Sequence, residues 1–473
     1  ELSRPWVLPT AAAAIFQFSA LMLTGSRGGW LSLSVGLAVM VVVGVRRLKE
    51  GSGPRLLVIA GILVALTPAL ALPTARRVAT SSEGEQASSM AFRRLTWRGT
   101  LDQALAHPLL GTGYGTFEIS YPQYARAGYT KLAHNSYLQL AAETGFPGML
   151  LMLAAIGAGL WACLSPNVLR KWGWPVAGLA GGITAFALHN CFESTLYVPP
   201  CAWTFLALLG ASTQPMPAGT GARAKEMLWS GLALAGAVLA LLGAPAGVGQ
   251  SSAAEAQTLR ERGDLNGSLV SLDEALRWDP RNPKWRIQRA ETLLLTGRKD
   301  AGLTQFAQLA ESEPHRAQVY HRWGLALQAL GDPRRARDRY HQAVALEPNR
   351  TESLLKLAQV DELLGDVPAA RRCYDALVAL ERGPVGRVRA LAGYVNLDYA
   401  EAYLALARLS TGPADLGKRR EMAREAAHIA SEFLRDMVTW KATLQSVGQW
   451  RPERESRAKV IVVESLRLGD GGG

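Results

Sequence analysis

Seven long apolar runs dominate the first 250 residues, at 6–24, 30–45, 55–73, 136–163, 174–190, 197–213 and 227–248. A helix needs about 20 mostly apolar residues to cross a ~30 Å hydrocarbon layer, and most of these runs approach that length. Inside hydrocarbon every backbone amide must be satisfied within its own segment, so such runs are read as helices. The second half of the chain is densely charged, and whole-chain averages therefore blend two unlike regions. Basic residues set an orientation. Arg46, Arg47, Lys49 and Arg55 lie between the second and third runs, Arg170 and Lys171 between the fourth and fifth, and Arg223 and Lys225 between the sixth and seventh. These loops are expected on the inner side. The connections at 26–29, 73–135 and 190–196 then fall outside, with everything after residue 250. The chain opens Glu1-Leu2-Ser3-Arg4 without an initiator methionine, which suggests that further helices precede it in a longer protein.

The net charge of +12 follows largely from those inner loops. No basic tract interleaved with aromatics occurs in the charged half, so nucleic acid is not an expected partner. Cys163, Cys191, Cys201 and Cys373 show no C-x-x-C or zinc spacing, and free thiols are expected.

The charged half repeats. Gly263, Gly297, Gly331 and Gly365 are 34 residues apart, and Pro280, Pro314 and Pro348 keep the same period. So do the small residues Ala256, Ala290, Gly324 and Ala358 and the bulky Leu272, Phe306, Tyr340 and Tyr374. This pattern resembles the tetratricopeptide repeat, a helical hairpin per unit. Stacked hairpins share one core and expose a concave groove, whose usual role is to bind a protein or peptide; a structural spacer is the plainer alternative. Residues 386–440 read as further amphipathic helices capping the stack, followed by a C-terminal helix and tail over 441–473.

The candidate chemistry lies in the apolar half. Arg27, in Thr24-Gly25-Ser26-Arg27-Gly28-Gly29-Trp30-Leu31, sits at the outer junction of the first two runs. An arginine there must snorkel or find an anion, and flanking glycines let a phosphate approach the backbone. The outer segment 73–135 is too long for a mere connection. Within it Phe92 to Leu105 reads as an amphipathic helix with Arg94 and Arg98 on one face. Two guanidinium groups so placed suit a pyrophosphate; a basic face lying among lipid headgroups is the plainer reading. The glycine-rich His107 to Gly115 does not follow a strand and is not read as a nucleotide-binding turn.

His134 and Asn135 open the fourth run, and Asn135, Gln139 and Glu143 form a polar stripe at i, i+4 spacing that must face protein or water. Pro147 cannot donate to the carbonyl of Glu143, so a kink is expected between Gly145 and Gly148, with a cavity beside it. Imidazole is the side chain that titrates near neutrality, which suits His134 to general base catalysis. A second outer cluster, His189 to Glu193, is expected at the same level, with His189 as a supporting or packing residue.

Arg27-Gly28-Gly29-Trp30-Leu31 fits an R-x-x-x-L element, and His134-Asn135 with Gly145-Phe146-Pro147-Gly148 fits H-[NSQ]-x9-G-x-x-[GTY]. On these elements the chain resembles the O-antigen ligase family over about residues 10–210. The resemblance implies an all-α protein: a polytopic membrane helix bundle of the GT-C-like ligase type over 1–250, with upstream helices missing, followed over 251–440 by a soluble α-solenoid. It further implies a bacterial cytoplasmic-membrane enzyme that moves a glycan from undecaprenyl pyrophosphate to an acceptor hydroxyl on the outer, periplasmic face. The acceptor would be a lipid, a glycan or a protein. On that basis Arg27 and Arg98, with Arg94, hold the pyrophosphate, while His134 acts as base in an inverting displacement and Asn135, Gln139, Glu143 and His189 support it. The chain has no D-x-D carboxylate pair for a metal-bound sugar nucleotide, so neither a metal nor a cofactor is expected. A glycan polymerase, a protein O-oligosaccharyltransferase and a non-catalytic membrane-anchored repeat scaffold are the competing readings.

Overall fold

The computed structural model describes residues 16–19, 21, 23, 26–45, 83–126, 128, 130–172, 174–213, 248–391, 396–446 and 452–469. The described residues form helices and turns only. They fall into two compact units, one within Glu1–Met216 and one over Pro217–Ala390 and Tyr394–Gly473.

The first unit contains α1 (Arg27–Val45), α2 (Glu83–Ala106), the single turn α3 (Phe117–Ser120), α4 (Ser136–Leu164), α5 (Pro166–Trp172), α6 (Trp174–His189) and α7 (Pro199–Thr213). These match the apolar runs expected at 30–45, 136–163, 174–190 and 197–213. The runs at 55–73 and 227–248 lie outside the described residues almost entirely, and the run at 6–24 largely so. Among the described residues one helix, α4, is long and apolar enough to cross a membrane, and only 17% of its most apolar stretch is buried within the protein. α1 and α6 carry shorter apolar segments, Gly28–Gly44 and Pro175–His189. They pack together through glycine: a Cβ on Gly36 would lie 2.6 Å from the Gly181 carbonyl oxygen, and one on Gly181 2.5 Å from that of Gly36. Small residues at such a crossing let two backbones meet, the usual device where water supplies no drive to associate. Ile156, Cys163, Ala180, Ile183, Phe205 and Leu209 close the space between α4, α6 and α7.

The second unit is the expected solenoid. Helical hairpins run from 248–261 and Leu265–Trp278 through Pro283–Leu295, Lys299–Ser312, Ala317–Ala329, Pro333–Leu346, Thr351–Leu363 and Val367–Arg382. The period is legible atom by atom. Gly263, Gly297, Gly331 and Gly365 all take positive φ between 81° and 84°, ending a helix as only glycine does without strain. Asp264, Asp332 and Asp366 then cap the next helix by accepting the amides of Gly267, Arg335 and Ala369. The small and bulky periodic positions face one another, since a Cβ on Gly324 would lie 2.6 Å from the Tyr340 ring. Tyr340 donates to Gln328 and Tyr374 to Glu362, both at 2.9 Å, the same bond one period apart. Leu397–Leu409, Leu416–Ser446 and Pro452–Gly469 finish the stack, with Leu404, Leu406, Ala426, Ala430 and Ile461 buried among them.

Candidate functional site

His134 occupies the last turn before α4, with φ at 53°, the non-glycine residue held at positive φ among the described residues. That conformation costs about 1–3 kcal/mol and persists only where neighbours over-determine it. The neighbours are specific. Its Nδ1 lies 3.3 Å from Glu193 Oε2. Trp97 Nε1 donates to its carbonyl oxygen at 3.2 Å. The Phe92 ring stands edge-on to the imidazole with centroids 6.3 Å apart. Arg93 completes the cluster, pairing with Glu193 Oε1 and donating to the Phe192 carbonyl at 2.9 Å. The hydrogen bond from His134 and the charge of Arg93 outweigh partial burial and hold the Glu193 carboxyl below its usual range. A carboxylate in that state only accepts, so Nδ1 is the donor of this pair.

The 190–196 turn is fixed to the start of α4. Ser136 donates its amide to the Asn190 carbonyl at 2.9 Å and its hydroxyl to Asn190 Oδ1 at 2.6 Å. Asn190 Oδ1, fully buried, also takes the Thr195 hydroxyl and the Leu196 amide. The expected polar stripe is internal, and each member anchors a different segment. Asn135 caps α4 by accepting the amides of Tyr137 and Leu138. Gln139 accepts from the Ala133 amide and the Ser194 hydroxyl. Glu143, fully buried, accepts the amides of Gly115 and Phe117, each at 2.9 Å.

The kink stands where proline placed it, but the space beside it holds protein rather than a cavity. Pro147 leaves the Glu143 carbonyl free, and the Gly113 amide fills that vacancy at 2.8 Å. One residue earlier the Phe146 amide turns away to the Pro108 carbonyl at 2.9 Å, which releases the Ala142 carbonyl for the Thr112 amide at 3.0 Å. The backbone groups freed by the break are thus satisfied by the 108–113 loop, as buried amides require. Contact this close excludes side chains: a Cβ on Gly145, at φ 74°, would lie 2.3 Å from the Leu109 carbonyl oxygen. One on Gly111, at φ 65°, would lie 2.2 Å from the Glu143 carbonyl carbon.

Arg94 and Arg98 share one face of α2, as their spacing indicates, and both are exposed. Among the described residues the ion pair and guanidinium hydrogen bonds of this stretch go to their neighbour Arg93. About 100° around the helix, Arg93 and Trp97 form the face that meets His134. Arg27 opens α1, where the Gly29 amide is capped by Ser26 Oγ at 3.0 Å. His189 ends α6 beside that start, its Nδ1 buried without a hydrogen-bond partner among the described residues and 3.9 Å from where a Cβ on Gly28 would stand. The Glu193 amide donates to the His189 carbonyl, so a single turn joins the neighbourhood of α1 to that of His134. Glu193 belongs to the outer cluster expected from sequence at this level, though without its pairing to His134, and Arg93 is the member not singled out from sequence. Arg93 is four residues before Trp97 and so on its face, and Glu193 closes the polar cluster after α6. Among the described residues no group of histidine, cysteine and carboxylate side chains is placed to hold a metal, and all four cysteines are free.

Residues 12–153 match the family model described as O-Antigen ligase, and residues 259–322 and 327–393 match that of the tetratricopeptide repeat. The chain therefore joins an N-terminal O-antigen ligase domain to C-terminal tetratricopeptide repeats. The first match contains Arg27, Arg93 and His134; Glu193 lies beyond it. No curated protein matches the chain. Among solved structures it is similar to PilF of Pseudomonas aeruginosa, at 16% identity over 48% of this chain and 95% of that one, with a TM-score of 0.32. A thermophilic tetratricopeptide repeat protein of Thermus thermophilus shares 22% identity over 42% and 99%, with a TM-score of 0.29. Yeast Tom70 shares 15% over 70% and 59%, with a TM-score of 0.32.

Proposed function

We propose that the protein transfers a glycan from a polyprenyl pyrophosphate to an acceptor hydroxyl at the outer face of the bacterial cytoplasmic membrane. The observation that carries this reading is His134, strained and held by Glu193 and Arg93 at the mouth of a long apolar helix inside the O-antigen ligase match. A helix so apolar yet so little buried by its own protein suits lipid as its surroundings. His134 Nε2 takes the proton of the acceptor hydroxyl as its oxygen attacks the anomeric carbon. The bond from that carbon to the phosphate oxygen breaks with inversion, and the electron pair leaves on the pyrophosphate. Arg27 supplies a fixed cation that stabilises the departing charge, and Arg98 and Arg94, on the neighbouring exposed face of α2, hold the lipid-borne pyrophosphate as it arrives. Glu193 balances the imidazolium as it forms, and Arg93 keeps Glu193 charged and in place. The repeats recruit a protein partner through their concave groove.

Positioned base catalysis is typically worth about 10²–10⁴ in rate. His134→Ala should therefore lower transfer by that order in cells whose envelope glycan is resolved on a gel, with the polyprenyl-linked glycan accumulating. Loss of attachment identifies a ligase and shortened chains a polymerase. Normal glycan from a properly inserted His134→Ala protein would sink the catalytic assignment.

A further inference from the structure

The exposed face of α2 mixes apolar and basic side chains. Met90, Arg94, Arg98, Leu101 and Leu105 fall on one stripe and are all exposed. Beyond it the loop tip presents Leu109 at 72% and Leu110 at 85% exposure, among the barest large apolar side chains described. Single exposed leucines are ordinary, but a contiguous apolar patch on one edge marks an interaction surface.

Its level is fixed by the break in α4. The tip is locked to Gly145 and Phe146 by the bonds from the 108–113 loop. From Gly145 to Leu164 the helix rises about 29 Å at 1.5 Å per residue. That is the thickness of the ~30 Å hydrocarbon layer, so the break lies at the outer boundary and the residues before it project beyond it. Below the break, Pro147, Leu150, Leu151 and Leu153 are exposed, with Trp161 near the far end, where indole rings favour the opposite interface. The bare leucines of the tip thus lie at the level where the exposed apolar surface of α4 begins, and the two exposed arginines lie beyond them along α2.

We propose that the outer half of α2 and the 105–110 tip form a ledge inserted into the outer leaflet of an anionic bilayer. Leu105, Leu109 and Leu110 lie among the upper acyl chains, and Arg94 and Arg98 lie among the lipid phosphates. This rests on the membrane placement proposed above and adds a role for the loop: the apolar tip sets the height of the two arginines, at the level where a lipid-borne pyrophosphate travels.

Depth-dependent quenching tests it. The full chain, with Cys163→Ala, Cys191→Ala, Cys201→Ala and Cys373→Ala, carries one new cysteine labelled with bimane, as Leu110→Cys, Leu151→Cys or Val270→Cys. It is placed in nanodiscs of phosphatidylethanolamine and phosphatidylglycerol containing a phosphatidylcholine with a doxyl group high on its acyl chain. All three sites are exposed, so the label displaces nothing. The expected result is loss of fluorescence at positions 110 and 151 with none at 270, in the repeats. Quenching at 151 without quenching at 110 overturns the ledge and leaves the membrane placement standing. Quenching at neither overturns both.

Discussion

Glu193→Gln isolates charge from shape. The amide keeps an oxygen that can accept from His134 Nδ1, so the 3.3 Å contact can survive while its negative charge does not. A hydrogen bond to a charged group contributes about 1.5–3 kcal/mol when well buried. Both partners here are near one-third exposed, at 33% and 31% for the side chains, and solvent screening reduces the charge contribution to about 1.4 kcal/mol. During transfer the imidazole becomes imidazolium, so this contribution is realised in the transition state and lost from the rate, not from donor binding. About a tenfold fall in turnover follows. The assay is consumption of radiolabelled polyprenyl-linked glycan by membranes holding equal amounts of each variant. His134→Ala with Glu193→Gln should be no slower than His134→Ala alone, because Glu193 acts through the imidazole. Losses that multiply in the double variant, or full turnover in Glu193→Gln, would refute the reasoning.

Two further outcomes are expected. Gly145→Ala puts a Cβ 2.3 Å from the Leu109 carbonyl oxygen at a φ of 74°; it should cost about 1–3 kcal/mol, undock the loop and reduce transfer, seen as faster hydrogen exchange over 108–117. His321, buried in the repeats against Ser353, has its pKa pushed down to about 3 by burial and then by Arg350, Arg322 and Lys356. It folds neutral while the unfolded chain protonates below about 6.5, so stability is complete above that pH and falls as pH drops toward 3, by up to about 1.4 kcal/mol per unit. Urea unfolding of the repeats followed across that window should show this slope, and His321→Gln should flatten it.

Much of this was legible in the sequence, for physical reasons that differ by region. The 34-residue period survives because each unit must repeat one small residue against one large side chain and one glycine at positive φ, and such positions tolerate few alternatives. The kink was legible because Pro147 removes a specific amide. The partner filling it was not: the loop that docks there contributes backbone bonds, and backbone bonds leave no side-chain signature beyond glycines at 111, 113 and 145. The order of apolar runs put the His189 to Glu193 cluster at the level of His134, but spacing within one helix cannot reveal the His134–Glu193 pair itself, 59 residues apart. Arg94 and Arg98 were placed correctly on one face, yet the face that meets His134 belongs to their neighbour Arg93, a distinction that needs the position of α4.

The His134 to Gly148 element can now be understood as two linked demands on one helix. The turn before it carries the proposed base, and its break carries the loop whose other end is α2. α2 in turn supplies Arg93 to Glu193 and Trp97 to the His134 carbonyl. The break and the base are therefore coupled through α2, although about 16 Å of helix separates them along the axis. In this scheme the glycines at 111 and 145 set how closely the 108–113 loop, and with it α2, approaches α4, so a substitution there that spares every polar side chain of the cluster is expected to shift the imidazole and lower transfer.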